Sequence, residues 1–72
     1  MATNYLVIFE KTKTGYSAYA PDIIGLGVTG KTKAEVRKLI GEAIPFHFEA
    51  LLEDGLPIPM PTTEAEMLLI PA

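Results

Sequence analysis

Three features of this chain have residue types and spacings that chemistry could use. The first is His47, the sole histidine. An imidazole can act as a general base or a pH-responsive group near neutrality. Here it falls within the apolar stripe of a predicted helix, where a core histidine hydrogen-bonded to backbone or tyrosine is the simpler reading. The second is the carboxylate pair Glu10 and Asp22. Metal-dependent hydrolysis needs several converging carboxylates, and these two, one at the end of a strand and one in a Pro-Asp turn, do not assemble an acidic metal cluster. The third is Gly25-Leu-Gly-Val-Thr-Gly30, which matches the bare G-x-G-x-x-G pattern and ends near a helix N-terminus, a place that favours anions. The segment is itself strand-like, and no acidic ribose ligand follows in a second βαβ unit, so the glycines read as bends rather than a nucleotide cradle. The expectation is a chain with no catalytic residues, no cofactor and no metal.

Composition narrows the classes further. The chain has 72 residues, which suits one domain over 1–72 with a thin core that oligomerisation would supplement. It has no cysteine, hence no disulfide framework and no thiolate metal site. Its net charge is −3 and its pI about 4.9. That balance disfavours direct contact with nucleic acid, which needs clustered Lys and Arg, and suits a basic protein partner. No apolar run reaches the roughly 20 residues of a membrane span, and the N-terminus lacks the pattern of a signal peptide. These features predict a soluble, cytoplasmic protein.

The element that must position everything else runs from Thr32 to Gly55. Thr32 reads as an N-cap with Glu35 completing a capping box, and Gly55 followed by Pro57 reads as the stop. Val36, Leu39, Ile40, Ala43, Ile44, His47 and Leu51 gather on one face, with Phe46 and Phe48 at its margins. Glu35, Lys38, Glu42, Glu49 and Glu53 gather on the other. The acids Glu42, Glu49 and Glu53 read as a solvated face or as a surface that steers a basic partner. Pro45 lies on the polar face and predicts a curved or kinked helix, with a break at Gly41–Pro45 as the alternative. Before the helix, Asn4–Lys11 and Tyr16–Ala20 read as a hairpin and Ile24–Thr29 as a third strand. Pro21-Asp22 reads as a turn that Asp22 organises through local hydrogen bonds, or as a loop touching a partner. After the helix, the alternate prolines of Leu-Pro-Ile-Pro-Met-Pro impose an extended connector. A last strand is expected from Thr62–Glu64 to about Ile70, with a short helix as the alternative.

The predicted order is β-β-β-α-β, an α+β fold with one long helix on one face of a small, mostly antiparallel sheet. Strand parity places Tyr5, Val7, Phe9, Tyr16, Ala18, Met67 and Leu69 under the helix. Leu6, Ile8, Tyr19, Leu68 and Ile70 are left uncovered, so the outer face, or an edge beside it, is a candidate oligomer or partner interface, with scattered surface leucines as the alternative. A one-residue change of register would invert the assignment.

Several of these motifs, taken in order, resemble a known family. The Gly15-Tyr16 hairpin strand, the Pro21-Asp22 segment with Gly25, the helix start with Gly30, Thr32 and Glu35, and the Glu-Asp-Gly-Leu-Pro-Ile-Pro exit around Gly55 are similar to the HicB-like antitoxins. Where the family often has Pro-Gly after Pro-Asp, Ile24-Gly25 stands here. The resemblance implies a partial RNase H-like or double-stranded-RNA-binding-domain-like fold. It also implies a protein that neutralises HicA, a small basic toxin that cleaves messenger RNA. Full-length relatives usually add a C-terminal DNA-binding module; the sequence stops at the last strand, so operator binding is not carried over. The alternatives are an orphan homo-oligomeric regulator without a toxin and a residual nuclease.

Overall fold

The computed structural model describes residues 3–71. Three short strands, β1 (Ile8–Lys11), β2 (Tyr16–Tyr19) and β3 (Gly27–Gly30), form an antiparallel meander in the order β1-β2-β3. One helix, α1 (Lys33–Glu53), crosses β2 and β3. The register pairs Ile8 with Tyr19 and Phe9 with Ala18, then Ala18 with Val28. Cross-strand partners share a face, so Phe9, Ala18 and Val28 form a row under α1.

That row meets the helix in a thin core. Ala18, Val36 and Ile40 are buried together, with Val7, Phe9, Tyr16, Val28 and Ile44 packed around them. Ala20 and Ile23, at and beyond the end of β2, are also buried. The expected parity is therefore observed for Val7, Phe9, Tyr16 and Ala18. Tyr5 joins them by leaning on Phe48, with ring centroids 5.3 Å apart.

The connections follow from local chemistry. Between β2 and β3 the chain makes two successive turns. Ile23 N–H donates to Ala20 C=O across Pro21-Asp22, and Leu26 N–H donates to Ile23 C=O across Ile24-Gly25. Gly25 has φ +81°, the left-handed value that the third position of a type II turn requires. This second turn delays β3 to Gly27, later than the expected start at Ile24, and leaves Ile24 exposed. At the other end of the sheet, a Cβ on Gly15 would run into the backbone carbonyl of Gly30, so the hairpin turn and the end of β3 approach as closely as glycine allows.

The helix boundaries match their signals. Thr32 Oγ1 accepts from Glu35 N–H at 3.1 Å. The Glu35 carboxylate reaches past the cap residue to Lys31 N–H at 2.8 Å. At the C-terminus Leu56 N–H donates to Leu51 C=O and Gly55 N–H to Leu52 C=O, a Schellman motif with Gly55 at φ +70°. Between these ends α1 is continuous through Pro45. The carbonyl of Gly41, which Pro45 cannot pair, lies on an exposed part of the helix where water can satisfy it. Thr32→Ala is expected to lower stability by about 1 kcal/mol with no change in fold, read as a shift in the urea midpoint.

The last predicted strand does not form. Among the described residues no strand or helix follows α1. Met67 and Leu69, expected under the helix, are 96% and 98% exposed, and Leu68 and Ile70 are exposed as well. The length of Glu64–Ile70 and its end at Pro71 suit a strand although Glu, Ala, Met and Leu favour helix, but a strand needs a paired edge, and this segment lies against none in its own molecule.

A candidate partner-binding surface

The two candidate carboxylates are apart. Glu10 pairs with Ser17 on the hairpin side of the sheet, whereas Asp22 lies beyond the opposite end, past Tyr19 and Ala20. Among the described residues no group of three or more His, Cys, Asp or Glu is placed to hold a metal ion. His47 is half-buried on the inner face of α1, not sealed in the core. Gly30 is packed against Glu35 and Val36 at the helix start rather than lining a phosphate loop.

Asp22 has a different task from the one expected. Its carboxylate does not close its own turn. It accepts from Thr63 Oγ1 at 2.6 Å and Thr62 Oγ1 at 3.1 Å, and from the N–H groups of both threonines at 3.0 Å. The Thr63 hydroxyl contributes most, and together these donors hold the carboxyl at about 2, below its ordinary 3.8. The bonds span 40 residues of sequence and moor the chain that leaves the proline connector. A carboxyl whose pKa is depressed on folding stabilises above its unfolded value and loses that contribution as pH falls through the folded one. The mooring is therefore expected to hold at pH 4 and to be lost as pH falls from 3.8 through about 2. Asp22→Asn should loosen it at neutral pH, and the Thr62 and Thr63 amide resonances report both effects.

The rotation of α1 about its axis decides what it presents outward. Lys33 Nζ lies 5.2 Å and the Arg37 guanidinium 5.6 Å from the centre of the Phe9 ring on β1. Phe48 leans on Tyr5, just before β1. One flank of α1 thus faces β1. At about 100° per residue, Leu39, Ala43, Phe46 and Ala50 fall on the opposite flank, beyond β3. There Leu39 is 40% and Phe46 74% exposed. Glu35, Glu42, Glu49 and Glu53 run beside them on the outer face, all exposed. The result is an apolar strip bordered by acid, next to the open edge of β3.

The interface residues expected from the sequence are not brought to one place. Ile8 and Tyr19 are cross-strand partners on the sheet face opposite α1, and Leu6 shares their parity. Leu6 and Ile8 are half-buried. Leu68 and Ile70 lie on the projecting C-terminal segment instead. The Leu39–Phe46 flank was not singled out in the sequence, although its signal was present: the apolar arc of α1 is wider than a three-stranded sheet can cover, and Phe46 sits at its margin.

A second apolar feature lies at the other end of α1. Thr3, Tyr5, Phe48, Leu52 and Ile58 line a shallow notch there. The Tyr5 hydroxyl donates to Pro59 C=O at 2.6 Å and fixes the proline connector beside it.

Comparison with known proteins places this geometry. A chain of the solved HicA3 and HicB3 toxin–antitoxin complex superposes with a TM-score of 0.70 at 38% identity, over 83% of this chain and 70% of that one. An uncharacterized 14.9 kDa protein from the rep-hol intergenic region of Haemophilus phage HP1 (strain HP1c1) is 38% identical over 55 residues. That match takes in 76% of this chain but 41% of the phage protein, so the chain spans about two fifths of that relative's length. The family described as the HicB-like antitoxin of bacterial toxin–antitoxin systems matches residues 5–71. A three-stranded meander under one capped helix, with a family match across nearly all of its length, makes this chain a member of the HicB-like antitoxin family.

Proposed function

We propose that the chain is the antitoxin partner of a HicA-type toxin, a small basic protein that cleaves messenger RNA, and that it acts by covering the toxin rather than by catalysis. The observation that carries this reading is the Leu39–Phe46 strip with Glu35, Glu42, Glu49 and Glu53 beside it. Such a surface joins an apolar, anchor-forming centre to an acidic border. The border speeds encounter with a basic protein and disfavours nucleic acid. The relative of known structure comes from a toxin–antitoxin complex, which supports the same pairing. Because messenger RNA is the toxin's target, the cytoplasm is where the antitoxin would act.

The test is co-expression. A HicA-type toxin arrests growth when expressed alone; with this chain, growth should resume and the two proteins should co-purify. Continued arrest with soluble chain present would remove the antitoxin role. Incubating the purified chain with RNA and magnesium or manganese should give no cleavage, and cleavage lost in Asp22→Ala would instead establish a nuclease.

A further inference from the structure

We propose that Glu64–Ile70 is a strand donated to a second copy of this chain, laid antiparallel along that copy's β1 edge, with each copy giving and receiving one such arm. Among the described residues β1 is an edge strand, so the backbone groups on its outer side have no neighbouring strand there. The arm pairs with no strand of its own molecule and is moored at Thr62 and Thr63 by Asp22. Adding a strand to an open edge is a standard mode of association, and a reciprocal exchange closes a two-fold dimer.

The register that brings Glu66 to Lys33 and Arg37 also matches the rest of the arm to β1. Glu64 opposite Lys11 brings Glu66 to Phe9, Met67 to Ile8, Leu68 to Val7, Leu69 to Leu6 and Ile70 to Tyr5. Both segments are seven residues long, about 24 Å at ~3.4 Å per residue. Directly opposite residues share a face, and Val7 and Phe9 face α1. Glu66 therefore arrives beside Phe9, where Lys33 and Arg37 already sit 5.2 and 5.6 Å from the ring centre. Glu64 meets Lys11. Leu68 extends the row under α1 on the side that the helix leaves open. Ile70 arrives at Tyr5 and the notch formed with Phe48, Leu52 and Ile58. On the other face Met67 and Leu69 cover Ile8 and Leu6.

The alternatives do worse. A shift by one residue turns both glutamates to the opposite face, away from Lys33 and Arg37. The arm's own β1 is accessible only in the parallel sense. Asp22 launches the arm from the end of the sheet where β1 begins, and that sense sets Leu68–Ile70 against Glu10 and Lys11. The other free edge, β3, has glycine at both ends and offers only Val28 and Thr29 side chains between them.

The experiment is a solution mass measurement with a disulfide readout. The full chain, 7.8 kDa as a monomer, should sediment at twice that mass. Glu66→Lys should weaken the dimer at least tenfold, and Glu66→Lys combined with Lys33→Glu and Arg37→Glu should restore it. The native chain has no cysteine, so Val7→Cys with Leu68→Cys should give a disulfide-linked dimer on oxidation, whereas Val28→Cys with Leu68→Cys should not. A chain ending at Thr63 should be a monomer with its helix signal retained. A monomer at millimolar concentration, a dimer that persists without the arm, or cross-linking through Val28 instead of Val7 would overturn the proposal. If the shortened chain fails to fold, the cross-link pattern decides.

Discussion

Phe46→Glu is expected to abolish toxin neutralisation while leaving the chain folded. Phe46 is 74% exposed and lies outside the core. Its removal leaves no cavity, and glutamate is a good helix former, so stability should move by no more than about 0.5 kcal/mol. Binding should respond very differently. An aromatic anchor at the centre of an interface is worth roughly 2–4 kcal/mol on truncation, about a 30- to 1000-fold loss of affinity. A charge placed there adds the cost of burying it unpaired. Leu39→Asp should act in the same direction through the same strip. Glu49→Lys, on the acidic border, should mainly slow association and reduce its salt dependence. Calorimetric titration with the toxin and the urea midpoint of the free chain separate the two effects.

Ile40→Ala should fail in the opposite way, by losing the fold and with it every function. Ile40 and Val36 are 1% and 0% exposed, and they are the two buried side chains that α1 presses onto the sheet. Truncating a buried isoleucine costs about 2–5 kcal/mol, through lost transfer energy and the cavity left behind. A domain this small has only ~3–5 kcal/mol in hand from a single core. The variant should therefore be largely unfolded as a monomer at 25 °C, visible as loss of helical circular dichroism. Concentration-dependent recovery would show association restoring part of the loss.

The parts of this molecule legible from its residues are those with local causes. The Thr32–Glu35 cap and the Gly55 stop are signals within a few residues of the backbone groups they satisfy, so both ends of α1 could be read directly. The hairpin and the inward parity of Val7, Phe9, Tyr16 and Ala18 follow from period-two alternation. Less legible were features whose cause lies far along the chain or outside it. Asp22 looked like a turn residue because its partners, Thr62 and Thr63, are 40 and 41 positions away. The helix runs through Pro45 because the lost hydrogen bond falls on its wet side. Glu64–Ile70 has the length of a strand and ends at Pro71, but those local features do not say which edge it joins, and in its own molecule it joins none. The candidate surface was half visible: the acids Glu42, Glu49 and Glu53 stood out, while the exposure of Phe46 depends on how α1 rolls over the sheet, which the stacking of Lys33 and Arg37 on Phe9 reveals.

The central claim, that this chain silences a ribonuclease by covering it, is tested most directly by titrating the purified chain into a HicA-type toxin cleaving a messenger RNA and reading the residual rate. The prediction is a linear fall to zero at one chain per toxin, with Phe46→Glu leaving cleavage nearly untouched at the same ratio. Undiminished cleavage at tenfold excess of folded wild-type chain, or equal inhibition by Phe46→Glu, would contradict it.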